Sequence, residues 1–270
     1  MIASRSLRTV LRVTTAIVLV VVYTPLAMVV INSFNVDRTF SWPPSGFTLH
    51  WWKLAAQSHG ARHALLVSIE VALLATAIAL VLGTLAGMGL RRTRFFGRHT
   101  ISLLIILPIA LPGIVTGIAL NNAFRTMLGL QLGFLTIVVA HATFCIVTVF
   151  NNVQARLQRL GPSLEQASAD LGAGPFRTFV QITFPMMRSA LLAGALLAFG
   201  LSFDEIVVTT FTAGPQVQTL PLWIFQNLFR PNQAPIVNVV AAVLVLVSAV
   251  PIYLAQRLSG DTVSSASATP

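Results

Sequence analysis

Three carboxylic acids, Glu70, Asp204 and Glu205, fall inside long apolar stretches of a 270-residue chain that has seven acids in all. An ionised carboxylate in hydrocarbon is costly and is kept where it faces a wet cavity, a partner or a bound cation. No Arg or Lys falls inside those stretches, so an internal basic partner is not expected. At about 1.5 Å per helical residue, Asp204 stands about 22 Å above the inner end of its stretch and Glu70 about 9 Å below the outer end of another. In a hydrocarbon core about 30 Å thick these heights nearly coincide. Acids at one height on two helices would ring a small cation; pairing with another subunit, or protonation, is the alternative. His141, also within an apolar stretch, reads as a hydrogen-bonded packing residue.

Other chemistries are excluded. The single cysteine, Cys145, lies in an apolar run, which rules out a disulfide framework or a cysteine metal site. The only lysine is Lys53, and no Gly-x-x-x-x-Gly-Lys-Ser/Thr loop occurs, so the chain cannot cradle nucleotide phosphates in the P-loop manner. If nucleotide hydrolysis drives this protein, it takes place on another chain.

The elements that must hold these acids are membrane spans. With 56% hydrophobic and 9% charged residues and a mean hydropathy of +0.83, the chain reads as all-α and integral to the membrane. Six stretches reach the roughly 20 residues that a helix needs to cross a bilayer, at about 13–31, 64–90, 101–123, 132–153, 189–211 and 236–256. The first follows Arg5, Arg8 and Arg12 but lacks a small-residue cleavage site, so it reads as a retained span and not a signal peptide. Six spans put both termini on one side. That side carries twelve basic residues against five on the other, which places the termini in the cytoplasm. The net charge of +10 therefore reflects orientation; no aromatic-interleaved basic patch suggests nucleic acid. In the first outer loop, Trp42, Trp51 and Trp52 suit a headgroup boundary, with a short interfacial helix over Leu49 to Ala56. Leu107-Pro-Ile-Ala-Leu-Pro-Gly113 frees backbone groups inside span three, and Gly83-x-x-x-Gly87 permits close packing of span two. Residues 1–258 read as one six-span domain, and Ser/Ala/Thr-rich 259–270 as a disordered cytoplasmic tail.

The long cytoplasmic loop, about 152–188, reads as a two-helix docking element. Ser163 caps the first helix, with Gln166 completing a capping box. Leu164, Ala167, Ser168 and Leu171 fall on one face, and Glu165, Gln166, Ala169 and Asp170 on the other. Gly172 ends it, Gly174-Pro175 opens the second helix, and Pro185 closes that helix just before span five. The small Ala167 and Ser168 would let another protein approach closely. An amphipathic loop lying on the membrane is the other reading these residues allow.

Glu165-Gln-Ala-Ser-Ala-Asp-Leu-Gly172, then nine residues, then Ile182-Thr-Phe-Pro185 resembles the coupling motif of permease subunits of bacterial ABC importers. Three positions depart from the motif: Gln166 stands at the usual Glu, Ser168 at the second Ala and Phe184 at a common Leu. Leu201-Ser-Phe-Asp-Glu-Ile-Val-Val-Thr-Thr-Phe211, Gly214-Pro215, Thr219-Leu-Pro-Leu-Trp223 and Leu130-Gln-Leu-Gly-Phe134 resemble the spermidine/putrescine class of these permeases. The resemblance implies a type I ABC importer permease fold in the bacterial inner membrane. It implies ATPase coupling through Ser163, Leu164, Glu165, Gln166, Ala167, Ser168, Asp170, Leu171, Gly172, Ile182 and Pro185, and it narrows the cation for the path read at Glu70, Asp204 and Glu205 to a polyamine. The implied partners are ATP-binding subunits that carry ATP and Mg, a second homologous permease chain and an extracytoplasmic solute-binding protein. This chain itself holds no cofactor or metal and catalyses no covalent step. An ABC permease for another small solute, or an ion-coupled secondary transporter, is the alternative; a non-transport scaffold is a third class. The docking loop argues against ion coupling, and the buried acids argue against a scaffold.

Overall fold

The computed structural model describes residues 5–38, 42–92, 96–161, 163–230 and 233–264. Arg94 and the last six residues of the expected tail lie outside them. Among the described residues twelve α-helices follow one another: α1 Arg5–Asn32, α2 His50–Gln57, α3 His59–Arg92, α4 Arg98–Ala110, α5 Gly113–Asn122, α6 Phe134–Leu160, α7 Ser163–Asp170, α8 Pro175–Thr178, α9 Phe184–Phe203, α10 Val207–Thr212, α11 Leu220–Asn227 and α12 Ala234–Ser264. Five-residue π turns at Ala123–Met127 and Phe179–Thr183 continue α5 and join α8 to α9. Among the described residues the only β pairing is one bridge, Asn35 to Phe47.

Among the described residues five helical runs are long and apolar enough to cross a membrane: Thr9–Asn32, His59–Arg91, Phe134–Leu160, Pro175–Phe203 and Ala234–Pro251. A sixth span is the pair Thr100–Ala110 and Gly113–Met127, bent by 105°. The fold is therefore all-α with five spans, or six counting the broken one, as the hydropathy pattern implied. Span three bends at the Leu107–Gly113 stretch that the sequence singled out. Two details differ from the sequence reading. Span five stops at Phe203, where 189–211 had been expected to run through. Pro185 does not close a helix: the run from Pro175 to Phe203 continues past it. The π turn just before Pro185, closed by Phe184 N–H donating to the Phe179 carbonyl, widens the helix where proline's ring and missing N–H would otherwise break it.

The chain forms two compact units, residues 1–63 with 223–247 and residues 64–222 with 248–270. In the first, α1 leads into an outer segment pinned by tryptophans. Trp51 Nε1 donates to the Asn35 carbonyl at 2.9 Å, and Trp52 stacks on Phe34 with centroids 5.1 Å apart. The interfacial helix expected over Leu49 to Ala56 is α2, one residue later at each end. Val18, Val20 and Val21 on α1 stand exposed, a surface that hydrocarbon accepts.

In the second unit, α6 and α9 form the centre. Val149, Val153, Met187 and Ala198 are buried between them with Ala75 and Ala79 of α3. The glycine pair of α3 meets α6. A Cβ on Gly87 would lie 2.7 Å from Val153 Cγ1, and one on Gly83 would lie 3.0 Å from the Ile146 carbonyl oxygen. That spacing is intrachain packing, bringing two helices closer than any larger residue permits.

Candidate coupling element and intramembrane acids

Helix α7 ends as its glycine predicts. Gly172 has φ +78°, Gly172 N–H donates to the Ala169 carbonyl at 2.9 Å and Ala173 N–H to Ser168 at 3.0 Å. These are the two bonds of a Schellman turn, and they spend carbonyls that the helix end would otherwise leave unpaired. Pro175 then stands in the first turn of α8 behind Gly174.

The inward side of α7 draws on both faces read from the sequence. Ser168 is buried, and its hydroxyl shares a 2.9 Å hydrogen bond with Thr178 of α8. One turn earlier, Glu165 Oε1 accepts from Thr183 Oγ1 at 2.9 Å and lies 3.8 Å from Arg91 Nη1 at the C-terminal end of α3. Arg91 Nη2 also donates to the Gly161 carbonyl. Thus Glu165 and Ser168 share the inner face, and Ser168 does not line an approach surface. Ser163, Leu164, Gln166, Ala167, Asp170 and Leu171 remain outward, Leu171 at 89% exposure and Phe176 of α8 at 80%. Ile182 is half-buried in the π turn and Pro185 is exposed. Apolar side chains this exposed beside the last polar turns suit another protein.

The acids occupy different settings. Asp204 caps the C-terminus of α9 and is exposed. Glu205 is half-buried, and its Oε1 accepts from the Val208 N–H at 2.8 Å, supplying the bond that the first turn of α10 lacks. It also lines a cavity of about 190 Å³ with Pro108, Gly113, Thr116 and Phe144. Glu70 is exposed on α3 and lines no part of that cavity. The structure thus joins Asp204 and Glu205 at one helix break and leaves Glu70 apart from it.

A polar node that the sequence reading had treated as packing holds this break. His141 is fully buried in α6, with Nδ1 2.7 Å from Ser202 Oγ of α9 and Nε2 2.8 Å from Thr209 Oγ1 of α10. Thr136 donates to the Thr212 carbonyl at 2.7 Å, and Asn121 Nδ2 donates to the Phe211 carbonyl at 2.6 Å. Asn121, Thr136, Ser202 and Thr209 were missed as a set. Their only signal was that each is polar within or beside an apolar stretch, which by itself names no partner.

The comparisons agree with this architecture. Residues 79–264 match the family described as binding-protein-dependent transport system inner membrane component. The chain is 33% identical over 240 residues to the spermidine/putrescine transport system permease protein PotC of Escherichia coli K12, covering 88% of this chain and 89% of that one. It is 34% identical over 229 residues to the putrescine transport system permease protein PotI of the same organism, covering 82% and 80%. PotC of Haemophilus influenzae is 32% identical, covering 88% and 91%. In fold, the chain is similar to a subunit of a bacterial ABC transporter that imports alginate, at TM-score 0.67 and 15% identity over 97% of this chain and 99% of that one. It is also similar to a chain of the MetNI methionine ABC transporter, at TM-score 0.56 and 18% identity over 77% and 98%. With an all-helical, multi-span architecture and a family match over most of its length, the chain belongs to the binding-protein-dependent transport system inner membrane components, the permease subunits of ABC importers.

Proposed function

We propose that this permease imports polyamines, with spermidine and putrescine as the solutes to test first. The observation that carries the reading is similarity to polyamine permeases at 32–34% identity over more than four-fifths of the chain. The acids give it a physical basis. Polyamines are small polycations, and Asp204 beside Glu205 offers negative charge at a break where backbone and side chains leave an open cavity. Glu70 joins the path only if the assembled importer brings α3 toward that break.

In this reading the chain pairs with a second permease and receives solute from an extracytoplasmic binding protein. Two ATPase subunits, which hold ATP and Mg, dock below on the exposed face of α7 around Leu164, Gln166, Ala167, Leu171 and Gly172. Both termini lie in the cytoplasm, as the twelve-to-five distribution of basic residues supports. ATP binding closes the ATPase pair, the docked element moves, and the pathway alternates between inner and outer openings.

The test is uptake of labelled spermidine and putrescine by vesicles holding this chain and its partner subunits, with and without internal ATP. ATP-dependent uptake competed best by one polyamine is the expected result. A complex that assembles and hydrolyses ATP but takes up neither rejects the substrate assignment and keeps the family. Two variants probe the mechanism. Gly172→Val forces a β-branched residue into a left-handed turn, so uptake falls while the spans stay folded. Asp204→Asn weakens cation uptake more than assembly with the ATPase; unchanged uptake at limiting solute removes Asp204 from the path.

A further inference from the structure

The inner face of the coupling element is bonded to a spanning helix through one guanidinium. Arg91 is the penultimate residue of α3. It donates to the carbonyl of Gly161, in the turn that ends α6, and lies 3.8 Å from Glu165 of α7. Glu165 in turn accepts from Thr183 in the π turn that leads into α9. Four elements therefore meet at this pair. Near the other end of α3, Ser68 Oγ accepts the Leu220 N–H at 2.7 Å, in the turn where α11 begins. From Ser68 to Arg91 is about 34 Å of continuous helix at 1.5 Å per residue. Toward the Arg91 end, Gly83 and Gly87 fit against α6 without room for a side chain.

We propose that Arg91 and Glu165 form a latch that makes α3 the rod carrying movement of the coupling element across the membrane to the segment starting at Leu220. This rests on the coupling reading given above. It reassigns Glu165, which resemblance places among the ATPase contacts, to a positioning residue inside its own chain. Three facts support the assignment. The carboxylate points away from the exposed face that holds Leu164 and Leu171. Thr183 and Arg91, which it meets, stand on the elements that lead into and out of the spans. And the cation it meets sits on a helix bonded at both ends, so a displacement of α7 is passed on as a push or pull along α3. At 3.8 Å the two charges are paired without a hydrogen bond between them, so the contact contributes less to folding than a bonded pair would. Its loss therefore spares the fold while freeing α7 from α3, and that separation lets the two roles be told apart.

The test uses the assembled importer in proteoliposomes, with uptake and ATP hydrolysis measured together. Glu165→Arg and Arg91→Glu each keep the complex intact on size-exclusion chromatography and keep hydrolysing ATP. Each lowers solute taken up per ATP by about fivefold or more, the low end of a typical intersite coupling. The exchanged pair, carrying both substitutions, recovers most of that ratio. Three results overturn the latch: single variants with an unchanged ratio, an exchanged pair no better than the singles, or Glu165→Arg releasing the ATPase subunits, which returns Glu165 to their interface. Uptake by the unsubstituted importer that does not need ATP instead removes the coupling reading, whatever the variants do.

Discussion

One span is broken between α4 and α5, another ends at a break between α9 and α10, and the two breaks are made differently. The first, between α4 and α5, is local. Leu111 is extended at φ −79° and ψ 145°, as a residue before proline tends to be, and Pro112 then brings no N–H to continue the ladder. The second, between α9 and α10, contains neither proline nor glycine; Asp204, Glu205 and Ile206 interrupt the helix. What holds it open is side-chain bonding: Glu205 capping Val208, Thr209 donating to the Glu205 carbonyl at 2.8 Å, and His141 bridging Ser202 and Thr209. The two meet because α5 packs on α10, where a Cβ on Gly117 would lie 2.7 Å from Phe211 Cδ2. Proline withholds its N–H whatever packs around it, although Pro25, Pro108 and Pro251 sit inside helices that continue past them. A bonded break exists only while its partners stay in place, which makes the second the more easily altered by substitution.

That contrast can be broken most severely at His141. His141→Ala removes the bridge, orphans the buried Ser202 hydroxyl at a cost of about 1–3 kcal/mol, and leaves Thr209 with only its bond to the Glu205 carbonyl. The expected outcome is the largest fall in thermal stability of the purified complex among these variants, with hydrogen exchange rising at residues 202–212 and not at 107–116. Equal exchange at both breaks would mean that His141 does not discriminate between them.

Gly117→Leu comes next. It drives a side chain into Phe211 at the contact between the half-helices, and overpacking of this kind costs about 1–3 kcal/mol. Here both breaks are expected to loosen together in hydrogen exchange, since the contact belongs to both. Protection lost on α10 alone would show that α5 is held without it.

Glu205 sharpens the comparison by separating cap from charge. Glu205→Ala loses the bond to Val208 and about 0.5–2 kcal/mol, the usual worth of a helix cap. Glu205→Gln keeps an acceptor oxygen for that N–H, so its melting temperature stays near the parent's. If Glu205 also serves the cation path, Glu205→Gln lowers polyamine uptake despite its retained stability. Parental uptake by Glu205→Gln confines the residue to capping.

The smallest effect is expected at Pro112→Ala, within about 1 kcal/mol. Asn121 bonded to Phe211 and the Gly117 contact still hold α5 at its angle, and a restored N–H gains at most one ordinary hydrogen bond. A straightened span, read as lost cross-linking between cysteines placed at 117 and 211, would show that proline alone sets the bend.

Much of this molecule could be read from residues in order along the chain. Lipid demands about 20 apolar residues per crossing and satisfied backbone groups, so the spans, the short helix α2, the glycine stop at Gly172 and the proline break all followed from local rules. The coupling element's existence was legible for the same reason: its caps and stops are neighbours in sequence. Which face of α7 turns inward was not legible, because Leu164, Ala167, Ser168 and Leu171 satisfy helical periodicity as well as the real inner pair, Glu165 and Ser168. Only Thr178, Thr183 and Arg91, brought in from elements tens of residues away or across a turn, select between them. The break at Asp204 escaped for a like reason. An unbroken apolar helix and a capped, bonded break have nearly the same composition, and hydrogen bonds from His141, 61 and 68 residues distant from their partners, decide which forms. Span number and the stops along the chain are thus properties of neighbouring residues, while the inward face, the second break and the Arg91–Glu165 latch depend on pairings that exist only once the helices have packed.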